Sequence, residues 1–181
     1  PTLTYDSRDN IFSPNEGIRA QATWMFFEPG FGSDFAYQNI HIYGLGWKQV
    51  APKWNAGLRL DGQGADGDVP FYALPFVQMR GVPAMRYQGN TVLTAEAQLR
   101  YDVTQRWSLT AFGGYGRATR DAADLFKGVV LPGEVAEAWS VGGGFRYLVA
   151  RKLGLRVGLD IARGPEQWTF YVVTGDAWFR P

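Results

Sequence analysis

Charged residues on one face of alternating segments, several of them two or four positions apart, are the feature of this chain that could do chemistry. Arg59 and Asp61 stand in LRLD, and Glu96, Arg100 and Asp102 in EAQLRYD. Arg146 stands in GFRY, and Arg156 and Asp160 in LRVGLD. Side chains alternate across a β-strand, so this spacing gathers the charges on one face and the apolar residues on the other. Charges of both signs on one face suit a salt-bridge core, or else a polar path for ions or a switchable plug. A buried charge without a partner is costly, so mutual pairing is the expected outcome.

Other chemistries find little support. His41 is the single histidine and lies among Ile40, Ile42 and Tyr43; a catalytic base would need a nucleophile and an orienting group beside it. The chain has no cysteine, which removes disulfides and thiolate ligands and, with one histidine, argues against zinc. Asp61, Asp66 and Asp68 in DGQGADGD lack the EF-hand spacing and its closing Glu. We therefore expect no catalytic residues, no metal and no cofactor.

The elements that must carry these charges are strands. Leu153 to Gly164 is the clearest copy of the pattern. Leu155, Val157, Leu159 and Ile161 fall on one face, and Arg156, Gly158, Asp160 and Ala162 on the other. The same alternation predicts eight strands: 17–28, 35–50, 54–63, 91–103, 106–117, 138–150, 153–163 and 168–179. Short connections (51–53, 104–105, 151–152) alternate with long ones (29–34, 64–90, 118–137), and the stretch 121–127 has room for a helical insert. Residues 2–12 resemble the end of one further strand, followed by the turn 13–17. With apolar residues outward and charges inward, the expected fold is all-β: a transmembrane antiparallel up-and-down β-barrel of about eight strands.

Composition agrees with a barrel. The 181 residues suffice for a single domain over 1–181, in which 1–16 form an N-terminal segment and periplasmic turn and 64–90 a long extracellular loop. Net charge is +1 and the basic residues are scattered, so nucleic acid is not an expected partner. Mean hydropathy is −0.20, as expected where half of each strand faces inward, and no apolar run is long enough for a spanning helix. Trp24, Phe26, Phe27, Trp47, Trp54, Trp107, Trp168 and Trp178 lie near strand ends, where they would form interfacial girdles.

Three stretches resemble the C-terminal half of the BamA/TamA outer-membrane proteins, the bacterial surface antigen family. The first is Tyr5-Asp6-Ser7-Arg8-Asp9-Asn10 with Phe12 to Gly17. The second is Met79-Arg80-Gly81-Val82, followed by the strand through Glu96 and Arg100. The third is Gly142 to Trp178. Val82 stands where the family usually has an aromatic, and Phe112 to Gly116 lacks the aspartate of the family's F-x-D-x-G. The family normally carries a sixteen-stranded barrel behind periplasmic POTRA domains; this chain has length for neither.

The resemblance implies a POTRA-less protein of the Gram-negative outer membrane that inserts or translocates proteins through a lateral seam. It also implies that Arg80, next to Gly81, folds inward to an acidic residue, with Glu96 the candidate partner in place of the missing aspartate. The seam would join the strand from Gly17 to Glu28 with the strand from Trp168 to Phe179. Membrane lipids are expected partners, together with unfolded outer-membrane proteins and a second copy forming a homodimer. The alternatives are a structural or adhesive barrel and a lipid-modifying enzyme.

Overall fold

The computed structural model describes residues 1–120 and 134–178. The region 121–127 and Phe179 lie outside the described residues. The chain forms one antiparallel sheet in which every strand pairs with its neighbours in sequence. Its strands are β1 (Thr2–Asp6), β2 (Gly17–Phe27), β3 (Tyr37–Ala51), β4 (Trp54–Gly67), β5 (Thr91–Asp102), β6 (Trp107–Arg120), β7 (Glu134–Ala150), β8 (Leu155–Arg163) and β9 (Trp168–Thr174). Among the described residues, two single-turn 3-10 helices, Pro29–Phe31 and Phe71–Ala73, sit in the long loops.

Period-two patterning sets the two faces. On β5 exposed and buried residues alternate from Thr91 to Arg100, with Leu93 and Leu99 outward and Glu96 and Arg100 inward. β4 and β6 follow the same rule, placing Leu58, Leu60 and Leu109 outward. The sheet curls so that residues distant in strand order meet over its concave face. Trp178 follows β9, yet its ring lies 6.2 Å from that of Trp47 on β3. It also donates a hydrogen bond to Glu96 on β5.

Three expectations are corrected. Among the described residues the sheet has nine strands rather than about eight. Residues 2–6 form a full strand because they pair with Arg19 to Thr23. The strand from Gly17 therefore lies inside the sheet, and the two edges are β1 and β9. The last strand ends at Thr174: Gly175 adopts φ +80° and turns the chain inward. Trp47 and Trp178 consequently belong to the buried interior rather than to an outer girdle, whereas Trp24, Trp54, Trp107 and Trp168 are exposed.

Strand parity has a consequence. Consecutive strands alternate in direction, so β1 and β9, the first and last of nine, run the same way. The segment after β1 crosses the short-turn end of the sheet. There the Phe12 carbonyl accepts a hydrogen bond from the Asp176 backbone N–H, and the Asn10 amide donates to the Leu153 carbonyl. The two edges are thus tied at one end, while no strand pairing joins them among the described residues.

Candidate functional site

The long loop between β4 and β5 enters the concave face. It is organised as a small hairpin: Phe76 bridges Gln88, and the Val77 N–H donates to the Tyr87 carbonyl at 2.9 Å. Val77, Met79 and Val82 are buried in one cluster with Val92, Ala118 and Ala138 of the sheet. Glycines on the inward face of β6 make room for them. A Cβ at Gly116 would collide with the Val77 side chain, and one at Gly114 with Met79 and Glu96.

Gly81 turns the loop tip with φ +82°, which favours glycine. Its N–H donates to the Tyr171 hydroxyl at 2.8 Å. A side chain there would also crowd Ala162 and Gly164 at the end of β8. At the loop's outer margin Arg86 donates to Glu166 at 2.6 Å. Burial, followed by the Glu166 charge, raises the neighbouring Tyr87 phenol above its ordinary pKa.

This geometry carries Arg80 into the charged interior. Its guanidinium lies 3.1 Å from Asp160, 3.2 Å from Gln98 and 3.5 Å from Glu96. It also stacks 3.4 Å from the centre of the Phe112 ring, a cation–π contact. Asp160 is shared with Arg146, whose two terminal nitrogens bind the carboxylate at 2.6 and 2.8 Å. Gly144 faces Asp160 across the ladder, and any Cβ there would strike that carboxylate. Glu96 is shared with Arg59 at 2.9 Å and with the Trp178 indole at 3.1 Å. Arg59 continues to Asp61 at 2.9 Å, and Asp61 reaches the His41 ring at 3.2 Å.

Arg59, Asp61, Arg80, Glu96, Arg146 and Asp160 therefore form one continuous buried network of three guanidinium groups and three carboxylates, and Gln98 links it to a fourth buried carboxylate, Asp176. Arg100 and Arg156 stand apart from it. They share Asp102 near the short turns, at 3.2 and 3.6 Å, and Arg100 also donates to the Asn15 side chain. The sequence-marked seam residues are scattered: Gly17 opens β2, Glu28 is exposed beyond its end, and Trp168 is exposed at the start of β9. His41 forms no hydrogen bond to a hydroxyl group among its described contacts; its ring nitrogen serves Asp61.

Sequence reasoning missed Gln98, Tyr171 and Trp178, which complete the network through contacts far along the chain. It also missed Gly114 and Gly116. Their signal was legible: two glycines on the inward face of a strand, directly after Phe112 on that face.

Fold and site together define an antiparallel β-meander with an apolar outer face and a charged concave face plugged by its own loop. Searches against protein-family models and against curated proteins find no match for this chain.

Proposed function

We propose that this chain is a bacterial outer-membrane β-barrel unit of the BamA/TamA kind, whose edges template an incoming strand during protein insertion or translocation. Its outward leucines, valines and aromatics suit contact with lipid, and its charges are gathered on the opposite face. The plug suits a wall that must stay sealed while an edge is engaged. Because Val77, Met79 and Arg80 are buried, an adhesive role for this loop is less well supported.

The observation that carries the reading is the shared direction of the two outer strands, β1 and β9, of this nine-stranded unit. A direct ladder between β1 and β9 would be parallel, unlike the antiparallel, even-stranded barrels of bacterial outer membranes. One extended strand of opposite direction can instead pair antiparallel with both edges at once. In hydrocarbon an unpaired edge is costly, so such a strand would be favoured there. Two copies related by a two-fold axis along the membrane normal would again juxtapose parallel edges, so an incoming strand is the better occupant.

The chain has no cysteine, so introduced thiols are unique. Thr4→Cys on β1 and Val173→Cys on β9 each report one edge. A peptide of about ten residues, alternating apolar and polar and carrying one cysteine, matches a spanning strand. With the peptide cysteine supplied as an activated pyridyl disulfide, whose thiopyridone leaves on exchange, the expected result is a disulfide adduct at either edge of the detergent-folded protein. A Thr4→Cys/Val173→Cys protein that closes its own disulfide quantitatively and excludes the peptide would overturn the reading.

A further inference from the structure

We propose that the outer face holds a phosphate-bearing anionic lipid, with an acyl chain in a groove across β2 to β6 and the headgroup on Arg117. The inference rests on the membrane reading above. The groove has a volume of about 690 Å³, within the range of roughly 300–1,000 Å³ typical of small-ligand sites. It arises where side chains are missing: Ala20 faces Gly44, and a Cβ added to Gly44 would meet nothing within 4 Å. Ile42, Leu60 and Tyr115 rise beside it, 55%, 54% and 48% exposed.

Two charged residues border the groove. Asp61 is engaged on the concave side by Arg59 and His41, which leaves Arg117 as the charge facing outward. Its ladder neighbours are Leu93 and Glu137. Glu137 lies within reach of the Tyr115 hydroxyl. No carboxylate comes within 4.0 Å of the Arg117 guanidinium among the described residues.

Height along the strand explains why a cation is tolerated there. Outward residues of β6 run Trp107, Leu109, Ala111, Gly113, Tyr115 and Arg117. Ten steps of about 3.3 Å on a strand tilted by about 40° climb about 25 Å, the height of a barrel's apolar band. If Trp107 marks one interface, Arg117 stands at the headgroup level of the other, on the long-loop side. The groove descends from it into the acyl region. An acyl chain and a phosphate joined in one molecule satisfy both parts.

The test uses the full chain reconstituted in vesicles of equal phosphatidylglycerol and phosphatidylcholine. Protease protection reads insertion, and native mass spectrometry in detergent reads the retained lipid. One arginine at a lipid surface implies about a fivefold preference for phosphatidylglycerol. Arg117→Gln should bring the ratio near one, Glu137→Gln should raise it, and Gly44→Leu should reduce retention of both lipids. An inserted protein with a ratio near one, or a ratio indifferent to Arg117→Gln, overturns the lipid site alone. A protein that does not insert overturns the membrane reading and the site with it.

Discussion

Removing Arg80 from the buried network tests the plug most directly. Three guanidinium groups, Arg59, Arg80 and Arg146, face three carboxylates, Asp61, Glu96 and Asp160. Arg80→Gln leaves this group one negative charge in excess, in a place where water cannot compensate. Losing one partner of a buried ion pair costs about 3–5 kcal/mol, a large part of the roughly 5–15 kcal/mol that holds a domain folded. Glu96→Gln leaves the opposite excess and should cost a similar amount. In the double variant Arg59 keeps Asp61 at 2.9 Å, and Arg146 keeps both bonds to Asp160. Its loss should fall short of the summed single losses by about 2 kcal/mol, within the range of coupled neighbours. Urea unfolding of the detergent-folded protein, followed by tryptophan fluorescence, measures all three. A loss below about 1 kcal/mol for Arg80→Gln, or additivity within about 0.5 kcal/mol, would refute the argument.

Further outcomes follow from the same geometry. Gly116→Val should expel Val77 from β6 and accelerate tryptic cleavage after Arg80 and Arg86 by about tenfold, given the usual cost of overpacking; unchanged protection would show that the loop is not seated there. Glu166→Gln removes an ion pair whose side chains are 62% and 37% exposed, and such pairs contribute little. The unfolding midpoint should stay within experimental error, and a clear drop would mean that the loop margin matters more than its burial implies. Five of the seven tryptophans, Trp24, Trp54, Trp107, Trp139 and Trp168, point outward. Brominated lipid should therefore quench wild-type fluorescence strongly, but scarcely quench a variant retaining only Trp47 and Trp178.

Much of the fold was legible because side-chain alternation is a local property. A run such as Leu153 to Gly164 states which residues share a face without reference to any other strand. β1 was legible only as the end of one further strand: five residues carry too little alternation to be counted with the rest, and pairing with Arg19 to Thr23 makes them part of the sheet. The inward position of the charges could be read in advance, but their division into two groups could not. Asp102 with Arg100 and Arg156 is separated from the main network by position along the strand axis, which depends on register. The final strand's early end at Thr174 likewise depends on Gly175 meeting Phe12, a contact between the two ends of the sheet.

The sequence by itself determined the two-faced strands, their antiparallel succession and the pairing need of the inward charges, because period-two geometry and desolvation act on neighbours. Only the tertiary structure decided which charges meet. Arg80 and Asp160 stand 80 residues apart, and they touch because the sheet curls and the loop folds back through the space left by Gly114 and Gly116. It also decided that β1 and β9 are the outer strands of the described sheet and run in the same direction, since nine strands in antiparallel succession end in the direction in which they begin.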